Sequence, residues 1–259
     1  MSQVLKGVRV LVTRPAHQAK SLIGLIEQAG GEALAFPTLA IVGLDNDDSV
    51  KDTLQRLETY QWVIFISANA VNFALRANGG KIPAIKSVIF SAVGRSTAKA
   101  LELAGLDVGL LPEQDFNSEG LLAMPQMQQL TGQSILIIRG QGGREELATT
   151  LRERGAKVDY LEVYKRDLPE IDAGFTAQQI INHGLDVITI TSGEALHNLV
   201  VMFGEHAASL RNVLLVVVSD RIRTLASGLG FNRIAVTKSP SDPAILETII
   251  KFVTGNERG

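Results

Sequence analysis

Two stretches of this chain read as versions of one another, and the distance between them limits what it can fold into. Arg14 and Arg139 each follow an apolar run, VRVLVTRP over residues 8–15 and SILIIRG over 134–140, and their separation is 139 − 14 = 125 positions. The offset persists without a gap: Gly7 maps onto Gly132, Leu22 onto Leu147, Ser67 onto Ser192, Val88 onto Val213, Gly94 onto Ser219 and Gly105 onto Gly230. Solenoid units run to roughly 20–50 residues, so a period this long means two copies of a domain-sized unit. A chain of 259 residues accommodates both. Function is therefore expected between two similar lobes.

Composition removes several function classes. Hydrophobic residues make up 46% of the chain, enough for a core in each lobe. A formal charge of −2 and a pI near 6.1 give no global basic field, so nonspecific binding to nucleic acid or to a membrane surface is not expected, and an anionic ligand must be held by local features. With no cysteine there is no disulfide, thiolate metal site or Cys nucleophile. The opening MSQVLKGVRVLV is too short an apolar run for a secretory signal, and no segment approaches the roughly 20 apolar residues of a membrane span. A soluble cytoplasmic protein is expected. Without a heptad run or a long exposed apolar helix, the expected state is a monomer.

Short β-rich apolar runs alternate with amphipathic stretches of helical length, the pattern of βαβ units around parallel sheets. In the first copy the runs are 8–12, 33–36, 62–66, 88–93 and 108–111; in the second they are 135–138, 157–161, 187–190, 213–218 and 234–236. Five strands per copy fit a flavodoxin-like sheet. Leu22, Leu25, Ile26 and Ala29 share one helical face, as do Leu147 and Leu151, with Gly155 as a stop. Residues 36–42 and 160–166 each continue as extended chain past the second strand of their copy and suggest a two-stranded β-ladder joining the lobes. If the chain crosses there, one lobe is discontinuous. The expected division is 1–36 with 172–259 as the first lobe, 48–157 as the second, and 37–47 with 158–171 as connector strands and linkers, bounded by the turn-prone LDNDDS (44–49) and DLPEID (167–172).

In parallel sheets ligands meet the loops at the carboxyl ends of the strands. Here those loops come in matched pairs: Thr13, Arg14 and Pro15 with Arg139 and Gly140; Ser67, Ala68 and Asn69 with Ser192, Gly193 and Glu194; Gly94 to Thr97 with Ser219, Asp220 and Arg221. Each precedes a helix, whose first N–H groups and positive dipole end bind anions without many cationic side chains. The plain alternative is that Ser67, Asn69, Thr97 and Ser192 are only helix caps. RGQGGRE (139–145) suggests a dinucleotide loop, but the third fingerprint glycine falls on Glu145, and no Walker A motif is present. The four histidines, His17, His183, His197 and His206, are scattered and point to no metal. No carboxylate pair or Ser-His-Asp set emerges. Tyr164, in EVYKR on the second connector strand, could present a phenol to a ligand, or could simply pack, since alternation sets Tyr160, Glu162 and Tyr164 against Leu161 and Val163.

VLVTRP, FISANAV, AVGRSTAKAL, ILIIRGQGGREEL, EVYKR, ITSGEAL and VVVSDRI, in that order over essentially the whole chain, resemble the bacterial uroporphyrinogen-III synthase family. The resemblance implies two flavodoxin-like lobes on a two-stranded ladder, one of them discontinuous. It also implies a lyase of haem and other tetrapyrrole biosynthesis that dehydrates and cyclises hydroxymethylbilane, a linear tetrapyrrole with eight carboxylates, inverting ring D. No metal or cofactor is implied; the partners implied are the small-molecule substrate and, transiently, the enzymes before and after it in the pathway. By the same resemblance, Thr13, Arg14, Ser67, Ala68, Asn69, Gly94, Thr97, Arg139, Gly140, Ser192, Gly193, Ser219 and Arg221 would hold acetate and propionate groups, and Tyr164 would be the catalytic proton donor. The sequence departs from the family pattern at residues 220–223, DRIR, where some members carry Thr beside small residues, so Arg221 is either a carboxylate ligand or a solvated side chain. The rival from another class is a noncatalytic two-lobed receptor for an anionic metabolite.

Overall fold

The computed structural model describes residues 3–44 and 47–255, so Asp45 and Asn46 of the acidic boundary segment lie outside the described residues. The chain opens with β1 (Arg9–Val12), α1 (Ala16–Gln28), β2 (Glu32–Ala35), β3 (Ala40–Gly43) and α2 (Asp47–Leu54). There follow β4 (Trp62–Phe65), α3 (Ala68–Ala77), β5 (Ile89–Ala92), α4 (Arg95–Leu103), β6 (Val108–Leu110) and α5 (Ser118–Ala123). The second copy contributes β7 (Ser134–Gly140), α6 (Glu146–Glu153), β8 (Lys157–Asp167), α7 (Ala173–His183), β9 (Val187–Ile190) and α8 (Gly193–Phe203). It ends with β10 (Leu214–Val217), α9 (Asp220–Gly228), β11 (Ile234–Val236) and α10 (Asp242–Val253).

Duplication is preserved at the level of element ends. β4, β5 and α4 recur as β9, β10 and α9 with each bound shifted by the same 125 positions. Yet the sheets do not follow the copies. One sheet runs β2-β1-β9-β10-β11, so its first two strands come from the first copy and the other three from the second. The other runs β8-β7-β4-β5-β6 in the same flavodoxin-like order, with the sources exchanged and β3 added outside β8. The chain accordingly forms two compact units, residues 1–40 with 167–259 and residues 41–166. Of the segments read as connectors, residues 40–43 and 158–167 belong to the six-stranded sheet. β8 runs unbroken to Asp167, and β3 is that sheet's edge strand.

Within each sheet the registered pairs are parallel: β1 with β2 and β9, β9 with β10 and β10 with β11 in one, β7 with β4 and β8, β4 with β5 and β5 with β6 in the other. All four residues of β4, β9 and β10 are buried, as expected of strands covered by helices on both faces. Alternation divides β4 between two cores, Val63 and Phe65 packing with α3 and α4, Trp62 and Ile64 with α5 and α6. The unit of residues 1–40 and 167–259 has the same two-sided construction, and its core already joins distant sequence: Leu11 and Phe36 pack among Ile188, Leu196 and Phe203. Among the described residues, no helix is long and apolar enough to cross a membrane.

A polar tie fastens the amino end of β4 to β8, two strands away. The Tyr60 hydroxyl donates to Asp159 on β8 at 3.0 Å. Burial, and then that hydrogen bond to a carboxylate, push the phenol from 10.0 up to about 12. Because the folded pKa is raised, the contribution to stability is present in full below pH 10 and is lost as pH climbs through 12. Urea midpoints should therefore fall over this alkaline window more steeply for the parent than for Tyr60→Phe; parallel curves would show that the tie contributes nothing.

Candidate functional site

The carboxyl ends of both sheets carry the same turn. After β4 the chain leaves in extended conformation at Ser67 (φ −158°, ψ 157°), whose Oγ accepts from Ala70 N–H at 3.0 Å and starts α3. After β9 it does the same at Ser192 (φ −149°, ψ 156°), whose Oγ accepts from Ala195 N–H at 3.0 Å and starts α8. The second pair is less equal. Ser219 caps α9 through Ile222 N–H at 3.4 Å, whereas its partner Gly94 starts α4 with no side-chain cap. The capping role weighed for Ser67 and Ser192 is thus observed. That contact uses the acceptor side of each hydroxyl and one N–H of each first turn.

Several other candidate side chains are occupied within their own unit. Thr13 is fully buried, donating through Oγ1 to the Thr189 carbonyl at 2.7 Å, so its hydroxyl belongs to the sheet. Arg14 pairs with Asp242 at the start of α10 and donates to the Pro240 carbonyl at 3.2 Å. Thr97 is 2% exposed, inside the first turn of α4. Arg139, also 2% exposed, is salt-bridged to Glu145 at 2.8 Å, donates to the Gly140 carbonyl at 3.2 Å, and lies 4.5 Å over the Tyr160 ring. Tyr160 in turn donates to Glu145 at 2.5 Å. These two partners, Tyr160 first and then Arg139, hold the Glu145 carboxyl below its usual range. Ala68, Asn69 and Gly193 are half-buried on the first turns of α3 and α8, and Arg221 is exposed on that of α9. His17, beside the Arg14 loop, is exposed and contacts Gln18.

Of the two readings of Tyr164, a phenol presented to a ligand or a packed ring, the ring is packed in the interior of its unit. It is 3% exposed, stacked on Phe73 of α3 with ring centroids 5.6 Å apart, and its hydroxyl lies 3.1 Å from Ser67 Oγ. The cause is an irregularity in β8. Ile138 stands opposite Leu161 and Arg139 opposite Glu162, but Gly140 stands opposite Tyr164, so Val163 is an extra residue. This β-bulge reverses the alternation. Tyr164 joins Leu161 and Val163 on the face toward α3, while Tyr160 stays on the face toward α6. Among the described residues, then, one capped turn has a phenol attached and its twin has none.

Sequence reasoning missed Phe73 and took in Arg95 only as part of the loop of residues 94–97. Phe73 carries no local signal beyond helical periodicity, and its contact with Tyr164 follows only from the bulge. Arg95, directly after Gly94, sits exposed with its guanidinium 4.3 Å from the Phe116 ring centre. Its position inside the AVGRSTAKAL motif was the available clue.

Twinned flavodoxin-like sheets with matched serine-capped turns at their carboxyl ends, and a phenol on one turn, define a duplicated α/β protein. The chain belongs to the uroporphyrinogen-III synthase family, since the family model described as Uroporphyrinogen-III synthase HemD matches residues 20–247. It is 33% identical over 248 residues to the uroporphyrinogen-III synthase of Salmonella typhimurium, covering 93% of this chain and 99% of that one. With the Escherichia coli uroporphyrinogen-III synthase it shares 32% identity over 247 residues, again 93% and 99%. Among solved structures, a mutant uroporphyrinogen III synthase from the extreme thermophile Thermus thermophilus has a TM-score of 0.65 at 18% identity, covering 96% of this chain and 100% of that one. The Helicobacter pylori uroporphyrinogen-III synthetase has a TM-score of 0.62 at 17% identity, covering 95% and 99%. These two likenesses concern the fold.

Proposed function

We propose that this chain dehydrates and cyclises hydroxymethylbilane to uroporphyrinogen III with inversion of ring D. The observation that carries the reading is the recurrence of one serine-capped turn at the carboxyl ends of both sheets, with a phenol hydrogen-bonded to one of them, in a chain of this family. Eight carboxylates need many acceptor-seeking N–H and O–H groups, which capped helix starts supply without a strongly basic surface.

In this reading the loops of Ser67, Ala68, Asn69 and Gly94 and those of Ser192, Gly193 and Ser219 hold acetate and propionate groups through main-chain amides and serine hydroxyls, with Arg221 as an added guanidinium. Thr13, Arg14, Thr97, Arg139 and Gly140 serve the same loops from behind, because their side chains or backbones are committed inside the units. Tyr164 and Ser67 form the line along which a proton reaches the hydroxymethyl oxygen. The C–O bond breaks, water leaves, and an azafulvenium cation remains on the pyrrole. The substituted α-carbon of ring D attacks it to give a spiro intermediate; fragmentation and reclosure invert the ring, and the proton lost on rearomatisation balances the one donated.

Spontaneous closure joins the same ends without inversion, so the enzyme's task is selection of one conformation more than lowering of a high barrier. That competition also favours rapid transfer in the cytoplasm between the enzymes before and after this one. A single copy of the chain carries both sets of turns, so the reading needs no second subunit. Separating the product isomers tests it: the type III isomer is expected, and type I alone would leave the receptor reading in its place.

A further inference from the structure

The surroundings of Tyr164 differ between the two copies. In the unit of residues 41–166, Ile64 is buried on the α6 side of the sheet, Ile138 and Val163 are buried in the tyrosine's own core, and Phe73 stacks on its ring. At the positions 125 residues away the other unit has Thr189, Thr13, Thr38 and Asn198. These form a hydrogen-bonded series instead: Thr189 Oγ1 donates to Leu11 O at 3.2 Å, Thr13 Oγ1 to Thr189 O at 2.7 Å, Thr38 Oγ1 to Thr13 O at 3.4 Å, and Asn198 Nδ2 to Thr38 O at 2.8 Å. Leu39 stands where Tyr164 would be, and Pro15 where Gly140 would be.

Gly140 has no conformational reason to be glycine, since it is not among the glycines with positive φ. Its reason is space. A Cβ on residue 140 would lie 2.4 Å from Cε2 and 2.5 Å from Cζ of Tyr164, closer than van der Waals contact permits. The ring edge that carries the hydroxyl rests directly on the glycine. Immediately afterwards Gln141 N–H donates to the Tyr164 carbonyl at 2.7 Å, locking the bulged strand onto the same turn.

We infer that Gly140 is a positioning residue: together with the extra residue Val163 it forms the seat that brings the Tyr164 hydroxyl to Ser67, and its missing side chain serves the tyrosine, not the substrate. The inference rests on the proposed reaction for its activity readout, but the packing it asserts does not. A cycle of three variants, Gly140→Ala, Tyr164→Leu and the pair together, separates the two roles. Gly140→Ala is expected to lower kcat on the order of 10²-fold, as removal of a placed proton donor does, with KM changed less than about threefold. On the Tyr164→Leu background the same alanine is expected to cost nothing further in kcat or in melting temperature. If Gly140→Ala alone does not fold while the double variant does, the steric coupling is established by that rescue. An equal loss on both backgrounds, or a raised KM at unchanged kcat, would overturn the inference and make Gly140 a substrate contact. Should the parent form no type III isomer, the reaction fails as a reading. The melting-temperature cycle then still decides the seat, with non-additivity expected and additivity against it.

Discussion

Tyr164→Phe is expected to lower turnover about 10²-fold and to leave the fold in place. General acid catalysis typically contributes about 10² to 10⁴-fold, and the lower end applies because the hydroxymethyl group already departs spontaneously in this chemistry. The substitution removes one oxygen. The ring keeps its stacking on Phe73 and its place against Gly140, and Ser67 keeps the Ala70 N–H that caps α3. The lost hydrogen bond to Ser67 should therefore cost only about 0.5–1.5 kcal/mol of stability. Stopped-flow turnover on fresh substrate, beside a urea titration, reads both numbers. Unchanged turnover with a small stability loss would reduce Tyr164 to a packing residue.

Phe36→Ala should produce the largest stability effect, and at a distance in sequence that only the exchanged sheets explain. Phe36 is fully buried, edge-on to Phe203 with ring centroids 5.1 Å apart, and packs with Leu196 and Ile188. Truncating a buried phenylalanine to alanine costs about 3–5 kcal/mol, a large share of the roughly 5–15 kcal/mol that holds a typical domain folded. Native-state hydrogen exchange should then show faster opening of β9 and β10, about 150 residues or more downstream, and little change in β4 and β5. Loss of protection in β4 and β5 instead would mean that the first copy folds as a unit by itself.

Much of this was open to reading in the sequence because duplication repeats its own signals. The ten apolar runs correspond to ten strands within a residue or two at most ends, and Ser67 and Ser192 sit where helix-cap chemistry puts them. The two overlong second strands permitted an exchange of strands between copies without requiring it, and did not show that both would become part of one six-stranded sheet. That needs the edge of β8 to be unpaired and therefore receptive to β3, a property of the assembled sheet. Period-two reasoning failed at Tyr164 for a specific reason. A bulge adds one residue without altering composition, so alternation placed the phenol with Tyr160 when it packs with Leu161 and Val163. Arg14 gave no hint of its partner either, since Asp242 is 228 positions away and reached only through the α10 start. Guanidinium groups near a strand end look alike in sequence whether they face a ligand or a carboxylate of the same unit.

Everything in the proposed mechanism depends on the protein choosing which end of ring D closes the macrocycle. Freshly prepared hydroxymethylbilane, incubated with and without the protein, oxidised and separated by isomer, measures that choice directly. The expected result is predominantly the type III isomer with the protein and type I without it. The same type I product in both, at the same rate, would contradict the mechanism whatever the protein's affinity for the tetrapyrrole.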